Sequence, residues 1–459
     1  MHHHQSDYFS NFGNSKKSNM KKTILSALFV IVLLSGHSLK AQWTAAVMSS
    51  TRSMLAAASG DNQAILAGGI GLISIPPAAA DVYNATTTLW TASTITHGRV
   101  GLAGAGVGSK IMFAGGSDDN ILLVLDNIDI YNTINSTWVG SSLSVARTML
   151  AGASAGSRIL FAGGTNPYLN MTYNTVDIYD TIAGWSSGVL SVPRFGLAGA
   201  GAGNKILFAG GTNIAGTIFN TVDIYDVTNG NWTTDTLSIA RTYCAAAACG
   251  NKIMIGGGTD VNGQPSKVVD IYDVVTGAWT VDSLSQERTF LSAGAAGGMI
   301  FFAGGEGSSM SVVYNTVDIY DTTSGSWNID SLTTARAHAA ATGIGNKFII
   351  GGGLNSSSFP LGSIEIYTIP GTGTGIQESA GQQFEISPNP AHQLAEIKLI
   401  NPIANGMLEV FDVTGQLIYT ARIVNSDRVT LNTGSYTKGV YFVKISDENN
   451  VLTRKLIVE

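Results

Sequence analysis

The stretch that decides the fold is Arg194 to Trp232, RFGLAGAGAGNKILFAGGTNIAGTIFNTVDIYDVTNGNW. It opens on a run of small residues, Arg194 to Ala200, that reads as a tightly packed strand. Gly203-Asn204-Lys205 follows with turn chemistry, since glycine and asparagine accept positive φ at little cost. Lys205 to Ala209 is apolar enough for a buried second strand and stops at the doublet Gly210-Gly211. After a polar stretch, Thr221 to Asp226 alternates as a third strand does. A fourth strand carries Trp232 and Leu237, and Arg241 starts the pattern again.

The same landmarks recur along the chain at a spacing of 47 or 48 residues. Tryptophan stands at Trp43, Trp90, Trp138, Trp185, Trp232, Trp279 and Trp327. Nine residues after each comes an arginine: Arg52, Arg99, Arg147, Arg194, Arg241, Arg288 and Arg336. Sixteen residues further on, a glycine doublet begins. The third strand repeats a tyrosine preceded two residues earlier by an acid, from Asp81 and Tyr83 to Glu365 and Tyr367. A short fixed period with four strands per copy and no helical pattern predicts the blades of a β-propeller. Trp43 has no tyrosine strand before it and Tyr367 no tryptophan after it. The N-terminal strand is therefore expected to complete the seventh blade, which hides the sheet edges. Sevenfold residues read as scaffold: each tryptophan is expected to bury ~150–250 Å², about 4–6 kcal/mol of gross apolar burial, and each arginine to pair with an acid.

Glycine doublet, tyrosine, then tryptophan six or seven residues on resembles the kelch repeat, from residue 43 to about 369. The resemblance implies a seven-bladed kelch propeller. A second resemblance lies at the C-terminus. Ser387-Pro388-Asn389-Pro390, Asp412-Val413-Thr414-Gly415, Gly439-Val440-Tyr441 and the closing Lys455-Leu456-Ile457-Val458 are similar to the type A C-terminal sorting domain of the type IX secretion system. Its motif residues here are Pro388, Asn389, Pro390, Gly415, Gly439 and Lys455. That resemblance implies a small immunoglobulin-like β-sandwich, the type IX export machinery as partner, and a location outside a diderm bacterium or on its outer-membrane surface. The fold class is thus all-β, a seven-bladed propeller followed by a small sandwich.

Four segments result. Residues 1–41 read as an extension plus a secretory signal, with Met20 a better start, Lys21-Lys22, an apolar core from Ile24 to Leu34 and Ala41 before Gln42. That core is about half the ~20 residues a membrane span needs. Residues 42–369 form the propeller, 370–383 a Gly/Thr/Pro-containing linker, and 384–459 the sorting domain. Without the first 41 residues the chain holds 20 basic and 30 acidic groups, a field that opposes nucleic acid. Cys244 and Cys249, five apart on one predicted strand, stand too far apart for a disulfide. Asp235-Thr236-Leu237, Asp282-Ser283-Leu284 and Asp330-Ser331-Leu332 look similar to bacterial O-glycosylation sites, but they are also ordinary fourth-strand repeat positions, the reading favoured here.

Function is expected where the repeat varies. Loops 2–3 and 4–1 share one face, and the residue two past each arginine is expected to rim the channel there. Those residues are Met54, Gly101, Met149, Gly196, Tyr243, Phe290 and His338. Tyr243, Phe290 and His338 belong to successive blades and are expected to form an aromatic wall suited to a sugar ring or an apolar peptide side chain. The same residues would also serve simply to fill the channel mouth. Kelch propellers include copper oxidases acting on sugars, and a sialate epimerase; here His97, His338 and His392 give little material for copper. Loop lengths are nearly uniform, with no long loop for chemistry. The expectation is a monomeric, non-catalytic binding protein for a glycan or protein ligand, with no cofactor or metal. The alternatives are a sugar-modifying enzyme and a surface scaffold without a ligand.

Overall fold

The computed structural model describes residues 42–72, 76–118, 122–309, 311–369, 384–412, 417–447 and 451–459. The signal-like segment 1–41, the linker 370–383 and Gly415 lie outside the described residues. The chain divides into two compact units, Met1–Gly371 and Thr372–Glu459.

Among the described residues, the first unit holds seven four-stranded antiparallel sheets. In the fourth they are Ala198–Ala202, Lys205–Ala209, Thr221–Asp226 and Trp232–Thr236, paired in that order. The first strand begins at Ala198, four residues later than the sequence suggests. Gly196 sits at φ 61° and breaks the extended run, leaving Arg194 to Leu197 as the loop that enters the channel. Ring closure follows the expected route. Gln42–Val47 pairs antiparallel with Ser363–Thr368, placing Trp43 opposite Tyr367. Among the described residues one 3-10 turn, Pro167–Leu169, interrupts the β structure, in the 2–3 loop of the third blade.

The repeated residues join the blades. The second glycine of each doublet donates its N–H to the carbonyl of the next blade's arginine, as Gly211 does to Arg241 at 2.9 Å. The last of these bonds, Gly353 to Arg52 at 2.9 Å, closes the circle. A β-carbon on Gly210 would stand 2.3 Å from the Arg241 oxygen, so only glycine permits the approach. First strands also touch closely: a β-carbon on Gly201 would meet the Ser154 carbonyl oxygen at 2.3 Å. Their Ala/Gly/Ser composition is thus a packing requirement of the channel wall.

Each arginine is fully buried. Arg147 shows the arrangement: its Nε donates to the Gly163 oxygen at 2.7 Å, and its Nη atoms to the Phe161 and Val145 oxygens at 3.0 and 3.1 Å. Nη2 also meets the Asp177 carboxylate at 2.8 Å, while the other Asp177 oxygen accepts the Ser144 N–H at 3.0 Å. Every blade carries this arginine–acid pair, with Glu365 serving Arg336 in the last. Burial lowers the Arg147 pKa and the facing Asp177 carboxylate opposes that shift. The clamp ties the 4–1 loop to the second and third strands of its own blade.

The tryptophans are less buried than expected. Trp185 is 39 % exposed and the others are part-buried, whereas the largest fully buried side chains are the seven arginines and several phenylalanines. Each tryptophan lies on the outer fourth strand and packs on the tyrosine of its own blade, as Trp232 does on Tyr225 at 4.9 Å. The indole N–H reaches the preceding blade: Trp279 donates to Asp235 and Trp327 to Asp282, both at 2.8 Å, and Trp43 to Asp330 at 3.1 Å. Those three aspartates of the Asp-Thr/Ser-Leu stretches therefore have an inter-blade role.

The second unit is all-β. Phe384–Ser387, Leu394–Asp412, Leu417–Asn432, Gly439–Asp447 and Val451–Val458 share one antiparallel sheet. The pairing of the two longest strands shifts register between Lys398 and Ile403. Residues from both halves of the longer strand, Ile397 and Leu408 among them, lie in one buried cluster. The motif residues converge on the last strand: Asn389 donates to the Lys455 oxygen and accepts from the Ile457 N–H, both at 2.8 Å. Gly439 opens the strand paired with it, opposite Val458. Pro388 and Pro390 flank Asn389, each after a cis peptide bond.

Candidate functional site

The chain enters each blade through the residue two past the arginine, and all seven of these residues adopt left-handed backbone. Met54, Met149, Tyr243, Phe290 and His338 lie at φ 50–55°, and Gly101 and Gly196 at 64° and 61°. The reason is a backbone belt. Met54 N–H donates to the His338 oxygen at 2.9 Å, Met149 to Gly101 at 2.8 Å, Gly196 to Met149 at 3.1 Å, Tyr243 to Gly196 at 2.8 Å and His338 to Phe290 at 3.1 Å. Left-handed φ aims these groups around the ring from blade to blade. Glycine adopts it freely, while another residue is strained there by about 1–2 kcal/mol. Five of seven positions nonetheless carry large side chains.

Those side chains line one cavity of about 460 Å³ at the channel mouth. The residue after each rim position backs it, from Leu55 and Leu102 round to Cys244 and Leu291. Tyr243, Phe290 and His338 form the expected wall: ring centroids are 4.6 Å apart for the first pair and 4.1 Å for the second. Stacking of this kind contributes roughly 0.5–1.5 kcal/mol per pair, enough to offset part of the strain. Met54 and Met149, 42 % and 43 % exposed, have less burial to offset theirs. Below the belt a second cavity of about 330 Å³ runs between the first strands, walled by alanine, glycine and serine.

Glu306 is a functional candidate that the sequence reading missed. It stands two residues past the start of its doublet, where other blades have Ile70, Ser117, Thr165, Thr212, Thr259 and Leu354. Its backbone pairs with Thr289, next to Phe290, and its carboxylate faces His338 Nε2 at 3.7 Å. Burial raises the Glu306 pKa and holds His338 down to about 4. At neutral pH the imidazole is uncharged and cannot neutralise the carboxylate. A single acid among threonines and apolar residues was the available signal.

The second missed feature is a crown of exposed apolar side chains on the 2–3 loops. Leu72, Leu122, Leu169, Ile214, Val261, Val312 and Phe359 supply one from each of the seven blades. Among the described residues the opposite face has fewer, with Ile134, Ile182 and Val275 on three 3–4 turns and Leu89 beside a fourth. The other candidates do not gather. His97 meets Asp118 at 3.3 Å and His392 bonds to the Glu459 carbonyl in the second unit. Among the described residues no group of three or more His, Cys, Asp or Glu is placed to hold a metal. Cys244 and Cys249 are both free thiols.

Comparison with known families agrees with both resemblances. The family described as kelch motif matches residues 240–281, and the secretion system C-terminal sorting domain matches residues 385–459. The chain is a kelch-repeat protein with a type IX sorting domain. Among solved structures, this kelch-repeat protein is similar to one described as "Structure of YjhT", with a TM-score of 0.50 and 14 % identity. That match covers 62 % of this chain and 99 % of the other, and it bears on the fold alone. No curated protein sequence matches. The sorting domain indicates export to the cell surface or the medium and contact with the export machinery. Among the described residues no helix is long and apolar enough to cross a membrane.

Proposed function

We propose that this kelch-repeat protein is a non-catalytic binding module. It acts on the outer-membrane surface or in the medium of a diderm bacterium, as a monomer, after export through a signal within residues 1–41. It captures a glycan or protein ligand at the channel mouth. The observation that carries this reading is the retention of large side chains at five rim positions where the backbone favours glycine. A scaffold alone would be served by glycine, as blades two and four are. The acidic balance of the chain argues against nucleic acid as a ligand.

The test is binding of the full chain to an oligosaccharide array and a peptide array, beside the Tyr243→Gly/Phe290→Gly variant. Glycine suits the rim backbone, so the variant is expected to fold. Loss of binding with an unchanged ring supports the reading, and undiminished binding sinks it.

A second reading, acid–base catalysis on a sugar, has one observation in its favour: the Glu306–His338 pair beside the mouth. General acid–base chemistry needs such groups in reach of the substrate. Turnover of any sugar on that array, abolished in Glu306→Gln, would replace binding with catalysis.

A further inference from the structure

The chemistry of the mouth discriminates between ligand classes. A sugar held in a cavity must have its hydroxyls matched, because each buried polar group left without a partner costs about 1–3 kcal/mol. The lining here is glycine, alanine, leucine, methionine and cysteine with three rings. Its polar side-chain groups are few, the Tyr243 hydroxyl and the His338 imidazole beside the Cys244 thiol, against the several hydroxyls of a sugar. Such a surface accepts an apolar group. Around it the crown adds apolar contact from all seven blades, which extends recognition beyond one small molecule.

Charge narrows the choice further. Among the described residues, the mouth-face loops and the strand ends beside them carry Asp118, Asp126, Asp260, Glu287 and Glu306 against Lys267. The seven repeated arginines cannot offset these acids, since each is buried against its own carboxylate. Anionic lipid headgroups and acidic polysaccharides require the opposite field. Glu306 is buried and does not itself line the cavity, but its carboxylate stands 3.7 Å from the lining residue His338. Its side chain is only slightly less exposed than that imidazole, and so supplies an acidic group just behind the wall for a cation to approach.

From this complementarity we infer that the mouth receives a peptide segment of a partner protein presenting a large apolar side chain beside a lysine or arginine. This rests on the mouth being the binding site and specifies its occupant. The apolar side chain fills the cavity against Met54, Met149 and the aromatic wall, and the cation lies towards Glu306.

The experiment uses the full chain and fluorescein-labelled peptides of Gly/Ser background bearing Leu-Lys or Phe-Arg. Matched peptides carry Leu-Glu or Phe-Glu. Cello- and chito-oligosaccharides and phosphatidylglycerol vesicles form separate arms. The basic peptides are expected to bind about tenfold more tightly than the acidic ones. Glu306→Gln should remove most of that preference and flatten its salt dependence. Met149→Gly and Phe290→Gly should weaken every peptide. Equal binding of acidic and basic peptides, or no peptide binding, overturns the proposal. Capture of oligosaccharides or vesicles, lost in Phe290→Gly, overturns the occupant and leaves the mouth as the site. Peptide binding unaffected by either glycine variant overturns the mouth itself.

Discussion

Replacing Arg147 by methionine removes one arginine–acid clamp while roughly keeping the volume of the side chain. The variant loses an ion pair at 2.8 Å to Asp177 and hydrogen bonds to the Gly163, Phe161 and Val145 carbonyls. Asp177 is buried and keeps the Ser144 N–H. Removing one partner of a buried pair costs about 3–5 kcal/mol, because the remaining charge stays in low dielectric. The expected loss at neutral pH is about 4 kcal/mol, read from urea unfolding followed by tryptophan fluorescence. Arg147→Met/Asp177→Asn removes the stranded charge and should recover about half of that loss. Arg158→Met, at the part-exposed pair with Asp180, should cost under about 1 kcal/mol. A loss below about 1 kcal/mol in Arg147→Met, or no recovery in the double variant, would refute the idea that the buried pair holds the 4–1 loop.

Three further outcomes are expected. At Met149 the backbone is left-handed, so Met149→Gly should be more stable than Met149→Ala by about 0.5 kcal/mol. That reverses the usual order, and comparison of thermal midpoints checks it. His338 is held down to about 4, below its ordinary value of ~6.5. The unfolded chain therefore takes up the proton first, and stability falls between roughly pH 6.5 and 4 by up to about 3 kcal/mol. Glu306, shifted the other way, trims that fall. Urea midpoints across this range should drop less in His338→Asn than in the wild type, and equal drops would remove the assignment. Deleting 384–459 should leave the unfolding of the propeller unchanged and strand it in the periplasm; normal surface display of the deletion would contradict the sorting role.

The ring was legible because its constraints repeat. The glycine doublets, the arginine nine residues after each tryptophan and the unpaired Trp43 and Tyr367 all follow from contacts made once per blade. The rim residues were legible for the same reason, being variable positions at a fixed offset from an invariant one. The left-handed φ at Met54 and Phe290 was not, since nothing in a methionine or phenylalanine announces it; Gly101 and Gly196 were the only hint. Burial of the tryptophans was overestimated because their position on an outer strand depends on the sheet order. Glu306 stands outside the rim register, and only the pairing with Thr289 and the contact with His338 bring it to the mouth. The crown on the 2–3 loops depends on exposure, which the sequence alone does not reveal.

The most direct test of the central claim is hydrogen exchange of the full chain with and without the tightest-binding ligand from the arrays. The account predicts slowed exchange in the 2–3 loops around Leu72, Leu169, Ile214 and Phe359, with the 3–4 turns at Ile134, Ile182 and Val275 unchanged. Protection confined to those turns, or to the outer strands that carry the tryptophans, would contradict recognition at the mouth.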